Sequence, residues 1–337
     1  MTDEFYMQKC LELAAKGYPL ALPNPMVGCV IVVNDNIIGE SYHKQFGQAH
    51  AEVNAINSVK DKSKLEQATL YVNLEPCAHF GKTPPCADLI IKSKLKRVVI
   101  GALDSFSLVN GKGIDKIKEA GIEVKVNVSK DDCISLNRRF YTFHKDKRPY
   151  VILKWAQSSD GFIAPKNQET PFWMTCEESK NLVHQWRSAE TGILIGKNTA
   201  IKDNPLLTSR LDGAKNPTRF VIDKSSILSK DLNVFNDDAT TFRICQKKLN
   251  ENDLQVDFDD FINSLMEQLH KLEIHSVIIE GGSLTLQQFI NSNCWDEARV
   301  FQSDALLKDG VMSPGFIQKP VLTEMIGDDK LSYFLNQ

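Results

Sequence analysis

The amino-acid sequence predicts an α/β protein built from two domains. Its 337 residues exceed one ordinary domain, which has roughly 150 residues. Apolar, β-branched runs alternate with segments of helical periodicity throughout the chain, which is typical of open sheets with helices on their faces. The alternation breaks once, in the charged stretch 143–149 that ends in a proline. We therefore place a domain boundary there, with domains 1–146 and 147–337.

The elements of the first domain follow from periodicity and turn residues. Apolar residues at helical spacing between Phe5 and Ala14 predict a first helix, which Gly17 ends. The β-branched run 27–33 predicts a strand, and the Asn-Asp-Asn sequence at 34–36 turns the chain into a short strand, 37–39. The remaining predictions are, in order, helix 50–59, strand 69–74, helix 85–92, strand 97–102, helix 114–120 and strand 122–126.

The second domain repeats the alternation without an internal sequence repeat. The predicted elements are strand 150–156, helix 177–188, strands 192–196 and 219–222, helix 261–271, strand 276–280 and helix 284–291. The chain lacks a Gly-x-Gly-x-x-Gly sequence after a strand, which argues against a Rossmann nucleotide site. Glu280-Gly281-Gly282-Ser283 lies where a strand runs into a helix, so it is either a tight turn or a phosphate-binding helix start.

Composition and charge exclude several classes of protein. Hydrophobic residues at 42% and charged residues at 25% exclude disorder and fibrous structure. No apolar run approaches the ~20 residues of a membrane span, and the N-terminus lacks a signal-peptide pattern, so we expect a soluble cytoplasmic protein. A net charge of -3 argues against general nucleic-acid binding, whereas a phosphorylated small substrate needs only a local basic cluster.

The cysteines carry the strongest chemical signal. Six of the eight lie among apolar or helical neighbours and are interpreted as small buried hydrophobic residues: Cys10, Cys29, Cys133, Cys176, Cys245 and Cys294. Cys77 and Cys86 instead flank a Pro/Gly-rich segment and follow a His50-Ala51-Glu52 sequence. One imidazole and two thiolates are good zinc ligands, and three protein ligands leave the fourth tetrahedral position to water.

This pattern predicts a catalytic zinc site. Zinc lowers the pKa of a bound water toward ~7, and Glu52, two residues after His50, can stand beside the metal and relay a proton. His-x-Glu followed by Pro-Cys-x-x-Cys is the zinc deaminase signature, although here eight residues separate Cys77 from Cys86. The alternative is a closed structural zinc site with His79 or Cys29 as fourth ligand.

The long insert of Cys77-x-x-x-Gly-x-Thr-Pro-Pro-Cys86 and the upstream segments 23–28 and 42–52 resemble the bifunctional riboflavin-biosynthesis deaminase–reductase family. The resemblance implies a fold class, α/β, with an N-terminal cytidine-deaminase-like three-layer domain followed by a dihydrofolate-reductase-like α/β domain. It implies that domain 1–146 is a zinc-dependent pyrimidine deaminase and domain 147–337 an NADPH-dependent reductase. The site roles that it implies in the first domain are zinc binding for His50, Cys77 and Cys86, proton transfer for Glu52, and substrate contact for Asn24, His43, His79 and Lys82.

The resemblance continues through the second half, in the segments 154–161, 173–175, 196–210 and 280–282. The NADPH positions that it implies are Ala156, Trp173, Thr199, Asp203 and Gly282. The substrate positions that it implies are Arg187, Leu207, Arg210 and Glu280. Both arginines are able to bind a 5′-phosphate at two points. The sequence departs from the family pattern at Ser159, Pro171, 104–107 and 301–315.

The function that the resemblance implies is two consecutive steps toward riboflavin. Zinc-dependent hydrolytic deamination of a diaminopyrimidinone ribosylamine 5′-phosphate is followed by NADPH-dependent reduction of its ribosyl group to ribityl. We expect zinc and NADPH as cofactors, a small phosphorylated pyrimidine as substrate, and a homo-oligomer without nucleic-acid or membrane partners. Two alternatives stay open: a single-activity nucleotide or nucleic-acid deaminase with a silent second domain, and a binding or regulatory protein whose zinc is structural.

Overall fold

The computed structural model describes residues 1–78, 80, 84–105, 111–167 and 172–336. Two compact units divide the chain, Met1–Asp146 (unit 1) and Lys147–Gln337 (unit 2). Three residues singled out above, His79, Lys82 and Pro171, lie outside the described residues. Each unit has its own sheet and its own apolar clusters.

Unit 1 is a mixed five-stranded sheet with helices on both faces. The described strands are β1 (Gly28–Val33), β2 (Asn36–Tyr42), β3 (Thr69–Leu74), β4 (Arg97–Ala102) and β5 (Glu123–Lys125). The described α-helices are α1 (Asp3–Ala15), α2 (Ala51–Ser58), α3 (Cys86–Lys92), α4 (Lys112–Glu119), α5 (Lys130–Leu136) and α6 (Arg138–Lys145). The strand order is β2-β1-β3-β4-β5, in which β3, β4 and β5 run parallel and β1 is antiparallel to both neighbours.

The continuous apolar run of β1 is explained by burial on both faces of the sheet. Cys29 and Ile31 pack on one face with residues of α2, α3 and α4, whereas Val30 and Val32 pack on the other with residues of α1 and α5. Alternate side chains of a strand point to opposite faces, so such a strand needs apolar residues at every position. The three-layer arrangement places the carboxyl ends of β3 and β4 side by side, with Leu74 opposite Ala102.

Unit 2 contains a nine-stranded sheet and a separate two-stranded ribbon. The described strands are β6 (Tyr150–Gln157), β7 (Phe162–Pro165), β8 (Gly192–Gly196), β9 (Thr218–Ile222), β10 (Thr241–Cys245), β11 (Asp253–Gln255), β12 (Ser276–Ile279), β13 (Glu297–Gln302), β14 (Gly310–Met312), β15 (Leu322–Ile326) and β16 (Asp329–Leu335). The described α-helices are α7 (Glu177–Ala189), α8 (Lys197–Asp203), α9 (Phe261–Lys271) and α10 (Ser283–Asn291).

The sheet order of unit 2 is β11-β10-β9-β8-β12-β6-β13-β16-β15, and β14 pairs with β7. Strands β11 through β13 in that order are parallel, and β16 and β15 complete the sheet in antiparallel fashion. Helices α9 and α10 pack on one face and α7 and α8 on the other, each with its own apolar cluster. The carboxyl ends of β8, β12 and β6 therefore meet at one edge, where open α/β sheets bind ligands.

Most elements that periodicity predicts are confirmed. Strands 69–74, 97–102 and 192–196 and helix 261–271 have the predicted bounds, and other predicted elements shift by a few residues. Helices α5, α6 and α8 and strands β7, β10, β11 and β13–β16 were not predicted. These elements are short or carry polar residues at many positions, as in β16 (Asp-Lys-Leu-Ser-Tyr-Phe-Leu), so their own pattern does not reveal their pairing.

No helix within the described part of the chain combines the length and the apolar character that crossing a membrane requires.

Candidate active sites

Three side chains predicted as metal ligands come together in unit 1. His50, Cys77 and Cys86 place one ligand atom each within 4.8 Å of one another. The His50 Nδ1 atom lies 3.3 Å from the Cys86 sulfur and 3.6 Å from the Cys77 sulfur. One imidazole nitrogen and two sulfurs at this separation form a donor set that suits zinc.

Local structure explains why these side chains converge. His50 is the N-cap of α2, Cys86 is the first residue of α3, and Cys77 follows the carboxyl end of β3. The backbone N–H of Cys86 donates to the Cys77 sulfur at 3.3 Å. The Cys86 thiol, the His50 ring and this N–H lower the pKa of Cys77 to about 4, despite the opposing effect of burial. The lowered pKa favours the thiolate form of Cys77, which is the form that binds metals, whereas the contact with Cys77 and burial raise the pKa of Cys86.

Glu52 lies beside this cluster on the first turn of α2. Its side chain is buried, with 3% of the residue exposed, and burial raises its pKa above the ordinary value for a glutamate. The carboxyl group is not one of the three clustered ligands. A buried carboxyl group next to a ligand cluster, with a raised pKa, has the properties of a group that accepts and returns a proton.

Cys29, one candidate for a fourth ligand, lies elsewhere. It is fully buried in β1 among the apolar side chains between the sheet and helices α2 to α4. It does not belong to the ligand cluster formed by described residues, and burial raises its pKa well above the ordinary value, which favours the neutral thiol. The other candidate, His79, lies outside the described residues.

Asn24 and His43, predicted to contact the substrate, are neighbours. The Asn24 Nδ2 atom lies 3.1 Å from His43 Nε2, and His43 Nδ1 lies 3.2 Å from the Ala49 carbonyl oxygen. A carbonyl only accepts, so Nδ1 donates to Ala49 and Nε2 accepts from the Asn24 amide. The His43 ring also meets the His50 ring edge-on, with centroids 5.6 Å apart. His43 therefore adjoins the ligand cluster, and it fixes the amide orientation of Asn24.

Unit 2 holds a second cluster of charged side chains. Arg187 of α7 binds Glu280 at two points, Nη2 to Oε2 at 2.7 Å and Nε to Oε1 at 3.0 Å. Lys154 of β6 lies 3.7 Å from the same carboxylate. Burial raises the pKa of Glu280, but the charges of Arg187 and Lys154 outweigh it and lower the pKa to about 2. Glu280 is therefore a carboxylate at neutral pH, at the carboxyl end of β12.

The geometry changes one sequence-based interpretation. We expected Arg187 to bind a phosphate at two points, but the structure directs its two-point contact to Glu280. Its Nη1 atom donates to the Thr208 carbonyl at 3.4 Å, and the residue is 8% exposed. Arg210, the other predicted phosphate ligand, is exposed. The buried carboxylate attracts the Arg187 side chain because an unpaired buried charge is costly.

Glycines pack closely against threonines at the sheet edge where β8, β12 and β6 end, near residues predicted to bind NADPH. A side-chain carbon added to Gly196 or Gly281 would lie 2.6 or 2.7 Å from atoms of Thr285, and one on Gly282 would lie 3.5 Å from the Thr199 hydroxyl. Gly196 and Gly282 are the N-caps of α8 and α10, which follow the adjacent strands β8 and β12. The first N–H groups of a helix lack partners within that helix, so two neighbouring helix starts favour an anionic ligand.

The remaining predicted positions differ in burial and in backbone conformation. Ala156 is near the end of β6 and half-buried, and Asp203 is the last residue of α8. Trp173 is 59% exposed, with the Lys180 ammonium 5.1 Å from its ring. Leu207, which is buried, and Arg210 both have a positive φ, 57° and 54°. Non-glycine residues in this left-handed region are uncommon and concentrate at functional sites.

The sequence analysis assigned no role to two residues that the structure places beside Glu280 and Arg187. Lys154 lies in the segment 154–161 that resembles the family. Its contact with Glu280 depends on the pairing of β6 with β12, which the sequence does not show. His184 lies one helical turn before Arg187, and its Nδ1 donates to the same Thr208 carbonyl at 3.3 Å. The helical spacing of His184 and Arg187 was the available signal, but the partner loop could not be foreseen.

Known protein families match both units of the chain. Residues 1–102 match the family model described as the cytidine and deoxycytidylate deaminase zinc-binding region, and residues 149–317 match the RibD C-terminal domain. A crystal structure from Thermotoga maritima, named as a diaminohydroxyphosphoribosylaminopyrimidine deaminase/5-amino-6-(5-phosphoribosylamino)uracil reductase, is 35% identical and covers 99% of both chains with a TM-score of 0.87. Acinetobacter baumannii RibD is 31% identical, with 99% of both chains covered and a TM-score of 0.88.

Fold and site thus define a protein that joins a zinc-binding deaminase domain to a reductase domain. Riboflavin biosynthesis protein RibD of Aquifex aeolicus is 40% identical over 319 residues, which cover 92% of this chain and 89% of that protein. That of Bacillus amyloliquefaciens is 38% identical over 94% of this chain and 88% of its own length. The chain belongs to the RibD family of riboflavin biosynthesis proteins. The family resemblance and fold class that the motifs predicted are confirmed, and the chain is a bifunctional enzyme with deaminase and reductase activities.

Proposed function

We propose that unit 1 deaminates a diaminopyrimidinone ribosylamine 5′-phosphate and that unit 2 reduces the ribosyl group of the product to ribityl with NADPH. The observation that carries the proposal is the cluster of His50, Cys77 and Cys86 beside a buried glutamate, Glu52. The name of the Thermotoga maritima structure supports the same pair of activities. The two steps are consecutive, because the deaminated pyrimidine of the first is the substrate of the second.

In unit 1, His50, Cys77 and Cys86 would hold a zinc ion. The fit follows from the donor set, one nitrogen and two sulfurs within 4.8 Å, and from the thiolate character of Cys77. Zinc, when bound, supplies a Lewis acid that brings the pKa of a coordinated water to ~7. The N-termini of α2 and α3, where His50 and Cys86 lie, favour the negative charge of the thiolates.

Glu52 moves the proton in the proposed deamination. The oxygen of a water forms a bond to the ring carbon that carries the amine, the carbon–nitrogen bond breaks, and ammonia leaves. Glu52 carries one proton of this water to the adjacent ring nitrogen and the second to the departing amine nitrogen, which leaves as ammonia while the carbon–oxygen double bond forms, so the carboxylate is regenerated in each turnover. Asn24, oriented by His43, and His79 and Lys82 would contact the substrate around this carbon.

In unit 2, Ala156, Trp173, Thr199, Asp203 and Gly282 would bind NADPH. The close approach of Gly282 to Thr199 and the two helix starts at Gly196 and Gly282 favour its phosphates. The dihydronicotinamide supplies the hydride and the site supplies a proton for reduction of the ribosyl carbon. Arg187, Leu207, Arg210 and Glu280 would contact the substrate: exposed Arg210 suits a phosphate, and Arg187 holds the Glu280 carboxylate in place.

The proposal extends to the setting in which the enzyme works. Thiolate ligands survive in a reducing compartment, and none of the eight cysteines forms a disulfide, so we place the enzyme in the cytoplasm.

We further propose a homo-oligomer, which sedimentation at micromolar concentration tests directly.

One assay tests both activities. The enzyme is incubated with the diamino substrate and NADPH, and ammonia release and NADPH oxidation are followed together. Wild type releases ammonia and oxidises NADPH, Glu52→Ala does neither, and Arg210→Ala releases ammonia while NADPH oxidation is weakened. Ammonia release without NADPH oxidation in the wild type would indicate a single-activity deaminase. Normal deamination by Glu52→Ala would overturn the role of the glutamate.

A further inference from the structure

Glu75 is a buried carboxylate next to the ligand-bearing turn that the proposed chemistry does not use. It directly follows β3, precedes Pro76-Cys77, and is 3% exposed. Burying a carboxylate is costly unless its oxygens are hydrogen-bonded. Within the described part of unit 1, backbone N–H groups from another stretch of the chain meet this need.

Four N–H groups of described residues donate to the Glu75 carboxylate. Gly111 and Asp104 donate to Oε2 at 2.9 and 3.3 Å, and Gly113 and Ile114 donate to Oε1 at 3.0 and 3.3 Å. Three of these four donors belong to the start of α4, of which Gly111 is the N-cap. A carboxylate at a helix start satisfies N–H groups that have no partner within the helix and lies at the positive end of its dipole.

The same contact brings the backbone of α4 against the turn that bears Cys77. A side-chain carbon on Gly113 would lie 2.0 Å from the Pro76 carbonyl oxygen, so only glycine permits this approach. The backbone N–H of Glu75 also donates to the Ala102 carbonyl at 3.0 Å, which joins the ends of β3 and β4. Glu75 therefore links the turn at Cys77 to both the end of β4 and the start of α4.

We propose that Glu75 is a positioning residue of the deaminase site, which fixes the Cys77 sulfur by anchoring its turn to the backbone of Asp104 and Gly111–Ile114. The proposal rests on the proposed function, because it assigns Glu75 a role toward the zinc ligand. A residue that orients a ligand typically changes metal affinity by about 10- to 100-fold when replaced. Because the metal held by Cys77 faces the substrate in the proposed reaction, displacement of this turn affects substrate binding as well as metal retention.

The first test compares Glu75→Gln with Glu75→Asp. The glutamine amide nitrogen would face N–H donors, so this variant loses contacts that the shorter aspartate keeps in part. We expect zinc to dissociate from Glu75→Gln into a chromogenic chelator about 10-fold faster than from wild type, with partial recovery in Glu75→Asp. In the cobalt-substituted protein the thiolate-to-cobalt absorption band of Glu75→Gln shifts, and KM for the pyrimidine rises more than kcat falls.

A second variant changes the residue of α4 that packs against the same turn. Gly113→Ala adds a methyl group that collides with the Pro76 carbonyl, although alanine favours helix formation over glycine by about 1 kcal/mol. Faster zinc loss from Gly113→Ala therefore cannot arise from a weaker helix. Asp61→Asn is the matched control, because Asp61 of unit 1 also accepts a backbone N–H, that of Ser63 at 3.2 Å, at a helix start. It should lower stability slightly and leave zinc release unchanged.

The outcomes separate the two proposals. A wild-type protein that binds no zinc or releases no ammonia overturns the proposed function itself. If wild type is active and both Glu75→Gln and Gly113→Ala keep the zinc dissociation rate, cobalt spectrum and KM of the wild type, Glu75 does not position Cys77. A lower melting temperature with those three readouts unchanged leads to the same negative conclusion, because it shows a purely structural role.

Discussion

Arg187 and Glu280 form a two-point ion pair in unit 2, with nitrogen–oxygen distances of 2.7 and 3.0 Å and side chains only 10% and 11% exposed. The pair joins α7 to the end of β12, and Lys154 adds a second positive charge at 3.7 Å. Because the guanidinium binds the carboxylate at two points, Arg187 orients Glu280. Arg210, which is exposed, stays the proposed phosphate ligand. This arrangement leads to the first prediction.

Arg187→Lys keeps the positive charge but loses the two-point contact, since an ammonium is a single point charge. We expect NADPH oxidation on the deaminated substrate to fall roughly 100-fold through misplacement of Glu280, with ammonia release unchanged. Arg148→Lys is the matched control, because Arg148 makes a two-point contact with Asp296 in the same unit at 2.6 and 2.8 Å. Equal losses of reductase activity in both variants would show a general effect on stability.

Glu52→Gln removes the proton carrier and keeps the shape of the side chain. We expect ammonia release to fall by about 10²- to 10⁴-fold, the usual contribution of general acid–base catalysis. Zinc content, measured by atomic absorption, stays at the wild-type level, because Glu52 is outside the ligand cluster. Glu40→Gln provides the control, because it makes the same change at an exposed residue of β2. Loss of zinc from Glu52→Gln would show that the carboxylate is a ligand.

Two cysteine variants distinguish an open metal site from a closed one. Cys86→Ala should lose its zinc, because it removes one of the three clustered ligands. Cys29→Ala should retain zinc and deaminase activity, at the cost of about 1 kcal/mol for the small cavity that it leaves in the core. Metal content and ammonia release are measured for both. Zinc loss from Cys29→Ala would instead support a closed structural site.

The ion pairs of Asp3 predict an acid-sensitive stability of unit 1. Asp3 accepts two hydrogen bonds from Arg97, at 2.8 and 2.9 Å, and one from Lys125 at 2.7 Å. The Arg97 contact holds the pKa of Asp3 well below its usual range, against the effect of burial. The contribution is therefore fully present above the unfolded pKa of about 3.9 and is lost as the pH falls through the lower folded pKa.

Asp3→Asn should accordingly lower the free energy of unfolding by about 2–3 kcal/mol at pH 7 and reduce its decline in acid, measured by urea titration. Glu123→Gln removes a more exposed partner of Arg97, 65% accessible at 2.9 Å, and should cost less than about 1 kcal/mol. A larger effect of the exposed partner would contradict this assignment.

His184 predicts a second pH dependence, in unit 2. Burial, followed by the charges of Arg187 and Arg210, lowers its pKa below 6.5, and only Glu280 and the Thr208 carbonyl act in the opposite direction. The unfolded chain then binds the proton more readily than the folded protein, so stability falls as the pH decreases from about 6.5 toward the folded pKa. NMR titration of the His184 ring should give a midpoint below 6.5, and His184→Gln should remove this contribution. A midpoint above 6.5 would contradict the prediction.

The sequence by itself determined the metal-ligand candidates and the layers of each unit. His50, Cys77 and Cys86 could be selected because zinc restricts its ligands to a few residue types, and spacing along the chain is visible without a fold. The continuous apolar run 27–33 likewise predicted strand β1, and the structure shows that both faces of this strand are buried, which explains the apolar residues at every position. These features depend on local chemistry and on periodicity.

Tertiary structure decided which charges meet. The partner of Arg187 lies 93 residues away along the chain, and the donors to Glu75 lie between 29 and 39 residues away. Such pairs depend on strand order and helix placement, which no local pattern encodes. For the same reason strands β13 to β16 could not be predicted, because their polar residues form strands only through pairing with neighbouring strands. Burial then fixes these contacts, because a buried charge without a partner is too costly to persist.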